Sequence, residues 1–274
     1  MSKKSERAPG KRIECFGKEM SKMLLSIKSL SDHTIEATDG KIGHVNSFLF
    51  DDMSWIVRYL VVDTGNWLPG KKVLIPPSVL GKPEGKEKIF PVQLTTDQVE
   101  NSPDIDAEKS VSRQQEIKLH RHYNWIPYWV NPYGPVGVPY EAAVEAAYGP
   151  EGSKEFSDEE VENADPHLRS TKEVIGYKIT AEDGHIGHVE DFIVDNDDWI
   201  LRYMVVDTRK WLSGKKVITS PDWVKRIKWS ESEVIVDVTR EVIRDCPEFD
   251  PSAPVNREYE ERLYDYYGRP KYWI

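Results

Sequence analysis

The sequence predicts a mainly β protein made of two small antiparallel β-barrels in tandem, each followed by a short aromatic-rich helical tail. The first observation is an internal repeat: residues 39–77 match residues 183–221 without a gap at an offset of 144, with 23 of 39 positions identical. A self-match of this length at one offset indicates a duplicated domain-sized unit. The second observation is that each unit holds several short apolar runs separated by turn residues, a pattern typical of small barrels and sandwiches.

The strands of the first unit are predicted from alternation and from turn chemistry. The stretch TIEATDG alternates in polarity and ends at Asp39-Gly40, a tight-turn pair in which glycine accepts a positive φ. The stretch WIVRYLVVD (55–63) is the richest in residues that favour a pleated, half-buried surface. In chain order, the predicted elements are strands at 34–40, 42–51, 55–63, 71–76 and 88–94 and a short helix at 95–100.

Each unit ends in a predicted helix. In REYEERLYDYY (257–267), Tyr259, Leu263 and Tyr266 recur at i, i+4 and i+7, which indicates one apolar helix face. Arg257 and Glu260 are spaced to form an i, i+3 ion pair. An aromatic segment follows each helix, and we expect it to pin the helix either to its own barrel or to the other barrel or a partner.

The repeat divides the chain into four predicted segments. These are a basic N-terminal arm (1–22), the first barrel repeat with its helical tail (23–129), an acidic linker containing Pro and Gly (130–166), and the second repeat with its tail (167–274). The linker carries nine acidic residues and one basic residue, which is typical of a solvated connecting segment.

Composition excludes several classes of protein. The formal net charge is −10 and no basic face is evident after residue 22, which argues against nucleic-acid binding. No apolar run approaches the roughly 20 residues of a membrane-spanning helix, so no transmembrane segment is predicted. The N-terminus lacks the apolar core of a secretory signal, and Cys15 and Cys246 are predicted to be reduced thiols in a cytoplasmic protein.

Two motifs could carry chemistry, and neither is persuasive. In DGHIGHVEDF (183–192), His185 and His188 could ligate a metal, but Lys41 occupies the first position in the other copy. Residues three apart on a regular strand also point to opposite faces, so no metal site is predicted. The stretch GNWLPGKK (65–72) resembles a phosphate-binding loop but lacks the Ser or Thr and the following helix. With no nucleophile and base in evidence, we expect a protein without enzymatic activity and without a cofactor.

The residues that carry the repeat also carry a resemblance. ATDGKIGHVNSFLFDD, WIVRYLVVDTGNWLPGKKVLI and their second copies are similar to PRC-barrel domains. That family is named for the cytoplasmic part of the photosynthetic reaction centre H subunit and includes the C-terminal part of the ribosome maturation factor RimM. The resemblance implies a small β-barrel and a mostly non-enzymatic adaptor role, and it carries over no catalytic motif.

The leading hypothesis is therefore a non-enzymatic adaptor that binds an unidentified protein partner or associates with itself. One alternative is a soluble relative of the H subunit in photosynthetic electron transfer, with peripheral contact to a membrane complex. Another is a small-molecule or ion sensor that binds between the barrels. Trp and Arg are enriched where protein surfaces meet. The candidate interaction residues, all of them shared by both copies, are Arg58, Trp67, Lys71, Tyr128, Trp129, Arg202, Trp211, Lys215, Tyr272 and Trp273.

Overall fold

The computed structural model describes residues 23–81, 88–103, 111–123, 125, 127–128, 166–208 and 215–274. The first half contains β1 (Leu24–Ser26), α1 (Ile27–Leu30), β2 (Thr34–Ala37), β3 (Gly40–Asp51), β4 (Val57–Asp63), β5 (Lys72–Ile75), β6 (Ile89–Pro91), α2 (Thr96–Glu100), β7 (Val111–Ser112) and α3 (Arg113–Tyr123). The second half contains β8 (Pro166–Ser170), α4 (Thr171–Val174), β9 (Lys178–Ala181), β10 (Gly184–Asp195), β11 (Leu201–Asp207), β12 (Lys216–Thr219), β13 (Val224–Lys228), β14 (Glu233–Val236), α5 (Arg240–Asp245) and α6 (Arg257–Tyr267). The predicted N-terminal arm and nearly all of the predicted linker lie outside these residues.

Each half forms a mixed sheet, which corrects the prediction of purely antiparallel barrels. The strand order is β5-β4-β3-β2-β6 in the first half and β12-β11-β10-β9-β14-β13 in the second. Strand β6 runs parallel to β2, and β14 runs parallel to β9. The chain leaves one edge of the sheet after β5 or β12 and crosses to the opposite edge. Among the described residues no strand pairing joins the two edges of either sheet, so barrel closure stays a prediction.

The two halves exchange their first strands. Strand β1 pairs with β10 of the second half, with Leu24 opposite Asp195 and Ser26 opposite Ile193. Strand β8, its counterpart, pairs with β3 of the first half. The exchange is reciprocal, because Leu168 and Ser170 stand 144 residues after Leu24 and Ser26. The sheets therefore cross the sequence boundaries predicted for the repeats, while those boundaries themselves stay predictions.

A second set of reciprocal contacts lies where the halves meet. The Val57 amide donates to the Trp199 carbonyl at 2.8 Å, and the Leu201 amide donates to the Trp55 carbonyl at 2.9 Å. Both tryptophans have positive φ, 59° and 57°, an unusual conformation for a bulky residue. This conformation turns the backbone of each half so that Ile56 and Ile200 form an antiparallel bridge. These equivalent contacts relate the two halves by approximate twofold symmetry.

The hydrophobic core is continuous across this junction. The Phe48 ring lies 6.4 Å from the Trp199 ring, and the equivalent Trp55 and Phe192 rings are 6.5 Å apart. One buried cluster includes residues from both sheets. Buried aromatic rings contribute large apolar areas, so separating the halves would expose a substantial part of the core.

A β-bulge follows the tight turn in each half. Gly43 and Gly187 each come close to the next strand: a Cβ there would lie 2.0 Å from the Asp63 carbonyl oxygen and 2.2 Å from that of Asp207, respectively. In the second half the strand register shifts between His185 and Gly187. Glycine is required at this position because any side chain would collide with backbone.

Candidate functional site

A buried glutamate on each tail helix holds that helix to its sheet. In the second half, the Tyr203 hydroxyl donates to Glu260 Oε1 at 2.7 Å, and the Tyr272 hydroxyl donates to the same oxygen at 2.8 Å. Arg257 pairs with the other carboxylate oxygen at 2.9 Å, which confirms the predicted i, i+3 pair. Burial, followed by neighbouring acidic groups, raises the pKa of Tyr203, so its hydroxyl stays protonated and donates.

The first half repeats this arrangement with the same residue types. Tyr59 and Tyr128 donate to Glu116 Oε1 at 3.0 and 2.9 Å, and Arg113 lies 3.3 Å from Oε2. Both glutamates are almost fully buried, at 0% and 2% exposure. A buried charge of this kind is tolerated only when it is paired and hydrogen-bonded. We call the Tyr–Glu–Tyr–Arg cluster of each half the latch: Tyr59, Glu116, Tyr128 and Arg113, or Tyr203, Glu260, Tyr272 and Arg257.

An arginine from β4 or β11 covers each latch. The Arg58 guanidinium lies 3.8 Å from the centre of the Tyr128 ring, and Arg202 lies 4.1 Å from that of Tyr272. These are cation–π distances. The two arginines differ in their ionic partners: Arg202 contacts Asp195 at 3.4 Å and also pairs with Asp198. Ser54 stands in the first half where Asp198 stands in the second.

Two histidines distinguish the first latch. His120 replaces Tyr264 of the second half, and its Nε2 lies 2.7 Å from the Tyr59 hydroxyl. Burial lowers the pKa of His120 to about 4, so the ring is neutral near pH 7. His167, on the exchanged strand β8, approaches Glu116 Oε2 at 2.6 Å. The first latch therefore also ties strand β8 of the other repeat to helix α3.

A cavity of about 610 Å³ opens over the first latch, between the two halves. Its volume lies in the range of small-molecule sites, roughly 300–1,000 Å³. The first half contributes Arg58, His120 and Tyr128 to its wall, and the second half contributes Asp198 and Trp199. Tyr264 takes the place of His120 in the second half, where its ring lies 5.0 Å from that of Trp273.

A comparison with known families now identifies the chain. The PRC-barrel domain family matches residues 29–97 and 167–243, together more than half of the sequence. The chain belongs to the PRC-barrel domain family. The first segment contains β2 to β6 and the second extends from β8 through β14, which confirms the resemblance stated from the repeat. A search of curated proteins finds no match to the chain.

In the two PRC-barrel repeats, the candidate interaction residues Lys71 and Lys215 make hydrogen bonds within the fold. Lys71 Nζ donates to the Glu100 and Ser102 carbonyls at 2.6 and 3.0 Å, at the end of α2. Its counterpart Lys215 donates to the equivalent carbonyls at the end of α5, at 2.7 and 2.6 Å. Because the last carbonyls of a helix lack intrahelical donors, both lysines satisfy helix ends.

The remaining candidates divide into three groups. Arg58, Tyr128, Arg202 and Tyr272 belong to or cover the latches, and the Trp273 ring lies 4.1 Å from the Arg257 guanidinium. Trp67 is 37% exposed on the turn between β4 and β5. Trp129 and Trp211 lie outside the described residues. A role in recognition stays a prediction for all of these residues.

The histidine pair is arranged differently from the expectation. The His185 and His188 rings lie 5.1 Å apart at a steep angle, so they share a face of β10 instead of diverging. The bulge at Gly187 is the physical reason, since an extra residue breaks the two-residue alternation of a strand. Among the described residues, no group of three or more His, Cys, Asp or Glu side chains is arranged to hold a metal ion.

The sequence predicted the Arg257–Glu260 pair, but the burial of Glu116 and Glu260 beneath the tyrosines was not predicted. A signal was present, because Glu116 and Glu260 are identical at the repeat offset and each lies three residues before an apolar position of its helix, Leu119 or Leu263. An acid kept on such a face in both copies indicates a buried, paired carboxylate. In the part of the chain that the structure describes, no helix is long and apolar enough to cross a membrane.

Proposed function

We propose that this PRC-barrel chain is a non-enzymatic, cytoplasmic interaction module that binds a protein partner through the turn at Trp67. The exchanged strands and the shared core make the two repeats a single scaffold for that turn. The ionisable residues of the latches support a non-catalytic role, since Glu116 and Glu260 are enclosed and paired.

The observation that supports this proposal is that hydrogen bonds fix the turn at Trp67 while the Trp67 side chain is exposed. The Thr64 hydroxyl lies within hydrogen-bonding distance of two carbonyl oxygens, 2.7 Å from that of Leu68 and 2.8 Å from that of Lys71. The Gly65 amide donates to Asp63 at 2.8 Å. A rigid aromatic side chain loses little conformational entropy on binding, and tryptophan is prominent among residues that dominate binding energy.

The experiment is a pull-down of the tagged full-length chain from native lysate, with soluble and membrane fractions kept separate. We expect a salt-resistant partner that Trp67→Ala loses. Met53→Ala is the matched control, because Met53 is 90% exposed on a different turn and its loss should leave capture unchanged. Equal capture by wild type and Trp67→Ala would contradict the Trp67 surface, and loss in both variants would indicate nonspecific apolar contact.

A second candidate function is a ligand sensor that binds between the repeats. The cavity over the first latch favours it, because both repeats contribute to the wall and aromatic and charged side chains converge there. A ligand that binds only the folded protein raises its apparent stability. A screen by thermal unfolding therefore tests this candidate, and stabilisation that disappears in a cavity-wall variant would support it.

A further inference from the structure

The cationic centre of this cavity is Arg58, which lacks the ionic partners of its counterpart. Arg58 Nε is buried without a hydrogen-bond acceptor among the described residues. Asp51, the counterpart of Asp195, interacts with it electrostatically, but no ion pair of Arg58 is formed within the described part of the chain. A buried donor without a partner destabilises the folded protein. The Arg58 side chain also lines the cavity, which brings its guanidinium group within reach of a ligand there.

The comparison between repeats shows how this opening arises. In the second repeat, Asp198 occupies the position of Ser54 and pairs with Arg202. The bulkier Tyr264 also occupies the position of His120. In the first repeat, Ser54 therefore offers Arg58 no counter-charge, and the smaller His120 forms part of the cavity wall. In the second repeat the equivalent arginine is paired, and the Tyr264 ring packs against the rings of Trp223 and Trp273.

The rest of the cavity wall is mostly apolar and aromatic, with Trp125, Tyr128 and Trp199 near Pro77. Asp197 and Asp198 also line it, but both are exposed and Asp198 is paired with Arg202. Solvent screens the charge of exposed carboxylates far more than that of a partly buried guanidinium. Arg58 therefore supplies a positive charge at the inner wall, moderated by the nearby Asp51.

We propose that this cavity binds a small organic anion, with its carboxylate or phosphate group on Arg58 and its apolar body against Trp125 and Trp199. Arginine presents paired N–H donors that match the oxygens of either group. The inference rests on the ligand-sensor candidate above and specifies the chemistry of its ligand. The protein-interaction proposal through Trp67 is independent of it.

The test uses the full-length chain and benzoate as the probe, followed by NMR of the arginine side-chain Nε–H signals. We expect the Arg58 signal to shift saturably and the Arg202 signal to stay in place. Benzamide has the same shape without the charge, and we expect it to bind at least about tenfold more weakly. Phenyl phosphate should behave like benzoate.

Two variants make the charge test specific. Ser54→Asp restores the carboxylate that pairs with Arg202 in the other repeat, so it should abolish benzoate binding in a folded protein. Ser54→Asn matches its size without the charge and should keep binding. His120→Tyr copies the bulkier residue of the second repeat and should also prevent binding by occupying the cavity.

The outcomes separate the inference from the sensor candidate. Equal affinity for benzoate and benzamide, insensitive to Ser54→Asp, would overturn the anion assignment while leaving a ligand-binding cavity. No saturable shift with benzoate, phenyl phosphate or benzamide would overturn both. Binding that Ser54→Asp abolishes and Ser54→Asn retains would establish Arg58 as the anion-recognising residue.

Discussion

Ile56 and Ile200 form an antiparallel backbone bridge at the point where the two repeats meet. The residues stand at equivalent positions, 144 apart, so the repeats meet through the same segment of each. The same symmetry places β1 on the second sheet and β8 on the first. Each sheet is complete only in the presence of the other repeat, and this relationship makes the first prediction.

Cutting the chain between the repeats should leave the two halves associated. A protease site inserted after Gly152 would allow cleavage without removing any described residue. We expect the halves to elute together by size-exclusion chromatography, because two exchanged strands and a continuous core hold them. Separation into two folded monomers under native conditions would contradict the exchange. Denaturation before chromatography is the control that shows cleavage was complete.

Replacing a latch glutamate should destabilise the protein. In Glu260→Gln, the side chain keeps its size but loses its negative charge. The Glu260 carboxylate accepts hydrogen bonds from two tyrosines and pairs with Arg257. We expect a loss of about 1–3 kcal/mol in the free energy of unfolding. Urea denaturation measures it, with Glu258→Gln on the exposed side of the same helix as the control. Equal stability of the two variants would mean that the latch contributes little.

The bulge glycine should tolerate no side chain. Gly43→Ala would place a Cβ 2.0 Å from a backbone oxygen, and backbone cannot move aside as a flexible side chain can. We expect a loss of about 2–4 kcal/mol. Gly40→Ala, on the same strand, is the matched control, because its Cβ would meet only Thr96 at 3.5 Å. Thermal unfolding of both variants measures the difference. Similar melting temperatures would contradict the close approach of Gly43 to the Asp63 carbonyl.

The neutral His120 should make stability depend on pH. The pKa of His120 is lowered from 6.5 to about 4 in the folded protein. Between these two values the imidazole is mostly protonated in the unfolded chain and mostly neutral in the folded chain. The associated stability is present above pH 6.5 and is lost as the pH falls toward 4. At about 1.4 kcal/mol per pH unit, we expect a loss of roughly 2–3 kcal/mol between pH 7 and pH 4.5.

The control for this prediction is His120→Gln, measured by urea denaturation at both pH values. The variant should lose less stability than the wild-type protein over the same interval, because its side chain does not titrate. Other histidines, including His33, whose burial lowers its pKa, remain in both proteins and cancel in the comparison. Identical pH dependence in the two proteins would show that His120 is not responsible.

Much of the architecture could be predicted from local patterns. The strand predicted at 55–63 is observed at Val57–Asp63, and the helix predicted at 257–267 is observed at Arg257–Tyr267. The alternation of apolar residues and the caps of a helix depend on neighbours in sequence, so they can be read without the fold. The Arg257–Glu260 pair was predictable for the same reason.

The sequence by itself therefore determined that the chain contains two copies of one β-rich unit, their family and most element positions. Only the tertiary structure decided which copy of β1 or β8 joins which sheet. Both copies have nearly the same partners, so local preference cannot distinguish exchange from pairing within a repeat. The histidine geometry depended on a bulge enforced by the backbone of another strand. The cavity at Arg58 is lined by segments of both repeats, so it exists only where those distant segments pack together.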